Sequence, residues 1–162
     1  MNPTKTLAVL ALGALALLPA SAPADPILAE TQTAKPAVKS LYDRLGGEKA
    51  IRAVVDDFVA AAAPDPKVDF TRGGKWQASD AAVMTLKDHL VAMICSASGG
   101  PQKYAGRTMK ATHQGMGITS AQFQAIASHL KAALEKHKVP KTEVGEVMAI
   151  AASTANDIIE KQ

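Results

Sequence analysis

Apolar residues recur with a helical period over most of this chain. Ile51, Val54, Val55, Phe58, Val59 and Ala62 mark one face of a helix predicted over 48–62, which Pro64-Asp65-Pro66 ends. Val83, Leu86, His89, Leu90, Met93, Ile94 and Ala97 form a second stripe behind Ser79, a good N-cap. That spacing sets an imidazole among aliphatic neighbours on the buried side of its helix. Thr119-Ser120-Ala121-Gln122 has the capping-box pattern and precedes Phe123, Ile126, Ala127, Leu130 and Leu134. Pro140 suits the first turn of a last helix, where Val144, Val147, Met148, Ala151, Ala155 and Ile158 keep the period. A short helix over Ser40 to Leu45, stopped by Gly46-Gly47, and a polar connection over 67–78 complete the pattern. No segment alternates with period two, so the fold class is all-α.

One stretch breaks the pattern. Residues 99–118 hold Gly99, Gly100, Gly106, Gly115 and Gly117, yet strongly apolar helices bracket them. Gly99-Gly100-Pro101 stops the incoming helix. Between Gly106 and Gly115 there is room for only about two helical turns of ~3.6 residues. His113 sits near the end of that piece, with Met109 one turn earlier and Met116 just after. A histidine so placed suits a metal or haem iron, although a surface histidine in a glycine-rich turn has the same local sequence.

Composition narrows the class. The 162 residues allow one ordinary domain. Residues 1–24 read as a cleavable signal peptide: Lys5 at the head, an apolar run from Leu7 to Leu18, and Ala22-Pro23-Ala24 at the cut. The run is shorter than the ~20 residues of a spanning helix, so no stable membrane insertion is expected after cleavage. Residues 25–39 read as a flexible lead-in, 40–162 as the folded domain, and the location as periplasmic or secreted. The net charge of +3 becomes +2 without Lys5, the one charged side chain of the leader. Basic residues neither cluster nor interleave with aromatics, so no nucleic-acid partner is expected. Cys95 is the only cysteine, which excludes an internal disulfide; it reads as a small buried hydrophobe. Aromatic residues make up 4% of a chain that is 48% hydrophobic. A small, alanine-rich core of this kind leaves space that a flat apolar cofactor can fill.

Met109-Lys110-x-x-His113-x-Gly115-Met116-Gly117-Ile118, preceded by Gly99-Gly100-Pro101-x-x-Tyr104-x-Gly106-Arg107, resembles the proximal segment of group 1 truncated haemoglobins. Leu41-Tyr42-Asp43-x-Leu45-Gly46-Gly47, followed by Ile51, Val54, Val55 and Phe58, resembles that family's opening. The resemblance spans about residues 40–160. It implies a two-over-two helical sandwich around haem b (iron protoporphyrin IX) with His113 as proximal iron ligand. Val59, Leu86, His89 and Leu90 would then wall the distal side. Phe58, Met93, Met109, Met116, Ile118 and Phe123 would add apolar surface, Phe70 or Trp76 would pack the haem edge, and Lys103 and Tyr104 would steady the propionates.

The resemblance also marks departures. Typical members carry a tyrosine where this chain has Val59, and often a polar residue at the position of Leu90, so His89 is the remaining distal donor. Some members use a histidine there as a sixth iron ligand; others place a basic residue against a propionate. The implied activity is reversible binding of a diatomic gas: oxygen, nitric oxide or carbon monoxide. The alternatives are a bis-histidine electron-transfer protein, nitric oxide detoxification with an unidentified reductant, or a haem-free helical protein acting through its surface. His129 falls off its apolar stripe and His137 lies at a helix C-terminus, and both are expected to be solvated.

Overall fold

The computed structural model describes residues 39–161; the leader 1–24 and all of the lead-in except Lys39 lie outside the described residues. Among the described residues seven helices run in order: α1 Leu41–Arg44, α2 Gly47–Ala62, α3 Asp80–Ala97, α4 Met109–His113, α5 Ser120–Lys136, α6 Lys141–Ser153 and α7 Ala155–Ile158. No strand is present among the described residues beyond one isolated bridge, Thr119 to Lys161.

The helices start where local chemistry directs them. Ser40, Ser79 and Thr108 each cap the backbone N–H three residues on, and Thr119 with Gln122 forms a complete capping box. Side-chain acceptors of this kind satisfy donors that a helix N-terminus otherwise leaves unpaired. Two boundaries differ from the sequence expectation. Gly47 already belongs to α2, and Pro140 is the N-cap of α6 rather than part of its first turn. The terminal apolar period is also split: the Thr154 hydroxyl donates to Ala151 O at 2.7 Å where α6 gives way to α7.

α2 is the central element and packs against both α3 and α5. Its buried face is Ile51, Val54, Val55, Phe58, Val59 and Ala62, the face that the spacing predicts. They join Val91, Cys95, Ala133, Leu134, Val144 and Val147 in one core. Burying a side chain such as Val54 or Leu134 is worth roughly 1.5–3 kcal/mol. α3 behaves differently from its pattern. Val91 and Cys95 are its deepest residues, while the stripe running from Leu86 to Met93 lines a cavity instead of the core. Arg52 to Asp88 at 2.7 Å and Lys87 to Asp56 at 2.9 Å tie α2 to α3. Among the described residues no helix is long and apolar enough to cross a membrane.

The expectation that His129 is solvated is corrected. It is half-buried, with Nε2 2.7 Å from Asp65 Oδ2. His137 is exposed as expected, yet it and Lys136 both reach Asp57, at 2.7 and 2.9 Å. His129, helped by the Lys67 backbone N–H, holds the Asp65 carboxyl below its ordinary range. A carboxylate depressed in the folded state contributes stability that is present above its unfolded pKa and lost as pH falls through the folded one. Thermal unfolding should therefore show Asp65→Asn melting below wild type at pH 6. The gap should narrow below about pH 4 and vanish once the carboxyl is protonated.

Candidate functional site

A cavity of about 780 Å³ opens between α3, α4, α5, α6 and the loops around them. This is within the roughly 300–1,000 Å³ common for cofactor pockets. Its wall is overwhelmingly apolar: Phe58, Val68, Phe70, Trp76, Leu86, Leu90, Met93, Ile94, Ile118, Phe123, Ile126, Leu130, Val147, Ile150 and Ile158 all contribute. His89 from α3 and His113 from α4 open onto the same space.

The tautomer of His113 can be read from its surroundings. Nδ1 lies 2.8 Å from Met109 O, one turn back on the same short helix. A carbonyl oxygen only accepts, so Nδ1 carries the proton and the Nε2 lone pair is free. Such an oriented imidazole is what a metal ligand requires. His89 is not on a buried face as its spacing predicts: it is exposed, because the stripe it belongs to borders the open cavity instead of the core, and it has no hydrogen-bond partner among the described residues. Its ring meets that of Tyr104 edge-on, with centroids 6.4 Å apart and planes at 83°. Tyr104 is in turn fixed, because its hydroxyl donates to Arg107 O at 3.0 Å and its ring occupies the space a side chain at Gly106 would need.

Several other polar groups on the wall are held by local partners. Thr85 donates to Ala81 O at 3.0 Å, and Thr108 caps α4. Arg72 donates to Val68 O at 2.8 Å and to Gln122 Oε1 at 3.2 Å. The turn after His113 is held from the far end of the chain. Glu160 Oε1 and Oε2 accept the N–H groups of Gly115 and Gly117, each at 2.5 Å, and these bonds keep the Glu160 carboxyl below its ordinary range. Gly115 and Gly117 have φ of +80° and +64°, which a side chain would disfavour.

Of the residues expected at the site, Phe58, Phe70, Trp76, Leu86, His89, Leu90, Met93, Tyr104, Met109, His113, Met116, Ile118 and Phe123 line this cavity. Phe70 and Trp76 both do so, where the sequence reading offered them as rivals. Val59 does not: it is 3% exposed and sits in the helical core behind the wall. Nor does Lys103, an exposed residue of the loop before α4. Sequence reasoning passed over Val68, Arg72, Gln122, Ile150 and Ile158. Arg72 and Val68 lie in a loop without periodicity, and Gln122 is accounted for by its cap. Ile150 had no place in the stripe read for α6, while the period that does include Ile158 gives no sign that it faces a cavity.

Among the described residues no group of three or more His, Cys, Asp or Glu comes together to hold a bare metal ion. An imidazole at the wall of a largely apolar cavity fits a different demand, a haem, whose porphyrin would supply most of the iron's ligands. The comparisons with known proteins agree. The family model described as bacterial-like globin matches residues 40–160. The chain belongs to the bacterial-like globins. The group 1 truncated haemoglobin of Mycolicibacterium paratuberculosis is 37% identical over 82% of this chain and 91% of that protein. The group 1 truncated haemoglobin of Synechocystis is 30% identical over 74% of this chain and 94% of that protein. Among solved structures, ferric truncated haemoglobin from Tetrahymena pyriformis superposes with a TM-score of 0.66 at 26% identity, over 75% of this chain and 98% of that one. The 2/2 haemoglobin of Synechococcus gives 0.65 at 30% identity, with the same coverage. This globin's cofactor is haem, and its fold is the two-over-two truncated form.

The free Nε2 of His113 leads to a direct test. His113→Gly should lose the Soret band that wild type gains with hemin, and added imidazole should restore it. A glycine variant with full haem content and no response to imidazole would remove His113 from the iron.

Proposed function

We propose that this globin is an exported protein that reversibly binds a diatomic gas, with His113 as the proximal ligand. The single observation that carries the assignment of His113 is its Nδ1–H donated to Met109 O, which leaves the Nε2 lone pair of this cavity-lining imidazole for a metal. When bound, haem supplies an iron centre whose open position takes oxygen, nitric oxide or carbon monoxide. The chain's own contribution is to hold one imidazole, to exclude water with aliphatic walls, and to offer a donor from α3.

That donor is His89. Among the cavity-lining residues of α3, Leu86, Leu90 and Met93 are apolar and the Thr85 hydroxyl is turned back to Ala81 O. A gas ligand that gains negative charge is stabilised by a donor, so its retention rests on one imidazole here. The absence of any other hydrogen-bond partner for His89 among the described residues also favours a second reading, in which its own ring nitrogen takes the sixth position and the protein passes electrons. Export rests on the leader sequence alone.

Ferrous protein should take up carbon monoxide with a saturable, reversible Soret shift. If His89 acts as a donor, His89→Ala should speed oxygen release by about 2–12-fold, the equivalent of one hydrogen bond of ~0.5–1.5 kcal/mol. A low-spin wild type that turns high-spin in His89→Ala would support the electron-transfer reading instead. Equal release rates with high-spin spectra in both would leave His89 without a role.

A further inference from the structure

The C-terminal segment is built into the half of the site that carries His113. Glu160 N and Lys161 N both donate to Ile118 O, at 2.8 and 3.1 Å, and Ser120 N donates to Lys161 O at 3.0 Å. α7 packs against α4, and Ile158 and Ile118 both line the cavity. Across this junction the Glu160 carboxylate spans the two N–H groups of the Gly115-Met116-Gly117 turn. Two left-handed glycines on either side of Met116 turn their N–H groups toward one carboxylate, an arrangement of donors that favours an anion. Here the anion is a side chain from 43 to 45 positions along the chain. The turn it fastens begins at once after His113, whose own carbonyl accepts from Met116 N at 3.0 Å.

We propose that Glu160 is a positioning residue for His113, fixing the direction in which the ligand nitrogen points by bridging the turn that ends its helix. This rests on His113 being the proximal ligand. α4 is only five residues long and has no buried side chain of its own. With no buried side chain, its geometry depends on α7 beside it and on what grips its ends. Thr108 caps one end and Glu160 clamps the other.

Wild type, Glu160→Ala and Glu160→Gln should be loaded with hemin and compared in two ways. The first is the rate of haem transfer to excess apomyoglobin. The second is the iron–histidine stretching band in resonance Raman after photolysis of the carbon monoxide adduct. Glu160→Ala should lose haem about tenfold faster, the equivalent of about 1.4 kcal/mol, and its band should shift and broaden. Glu160→Gln, which keeps one acceptor oxygen, should fall between. Should the alanine variant not fold, the glutamine variant carries the test. A lowered melting temperature with an unmoved band and an unchanged transfer rate would overturn the proposal, since Glu160 would then only brace the fold. If wild type itself shows no iron–histidine band, the assignment of His113 fails instead.

Discussion

A neutral imidazole has one lone pair to give, and in this globin the site depends on which nitrogen gives it. The bond from His113 Nδ1 to Met109 O answers that question from within a single turn of helix. Because the acceptor is backbone, no substitution of the Met109 side chain deletes the acceptor oxygen. The rest of the chain serves to present that turn. Gly99 to Pro101 ends α3, Thr108 starts α4, and Glu160 closes the loop beyond it.

The surrounding helices form a frame rather than a filled interior. α2 concentrates the close packing, with Val55 and Ala62 fully excluded from solvent, and α3 and α5 lean on it. On its other side α3 faces open space. This aromatic-poor chain builds its dense core largely from valine and alanine, and a cavity separates the lining residues of α3 from those of α6. The resulting apolar cavity would expose a large greasy surface to water if nothing entered it, and a porphyrin covers that surface. Haem uptake should therefore stabilise the fold by mass action as well as furnish the chemistry.

Much of this was legible in the sequence, for identifiable reasons. The period of α2 and α5, the caps at Ser79 and Thr119, and the glycine-bounded turn around His113 are local signals, and local signals survive in a linear string. What did not survive is anything set by a partner distant in sequence. His129 sits off its stripe because Asp65 receives it, and Glu160 gave no hint of its role because its partners are Gly115 and Gly117. Val59 shows the limit of transferring a family position. It shares a helix with the wall residue Phe58, but its side chain points into the core, so the register of the neighbouring residue decided its place.

Gas binding by His113 and His89 requires haem to enter this cavity. Trp76 is the chain's single tryptophan and lies on the cavity wall, so its fluorescence reports occupancy without any substitution. Titrating the apoprotein with hemin should quench that emission to a plateau at one equivalent, in step with the growth of a Soret band. Emission that stays unquenched while a Soret band develops would place the haem elsewhere and contradict the account.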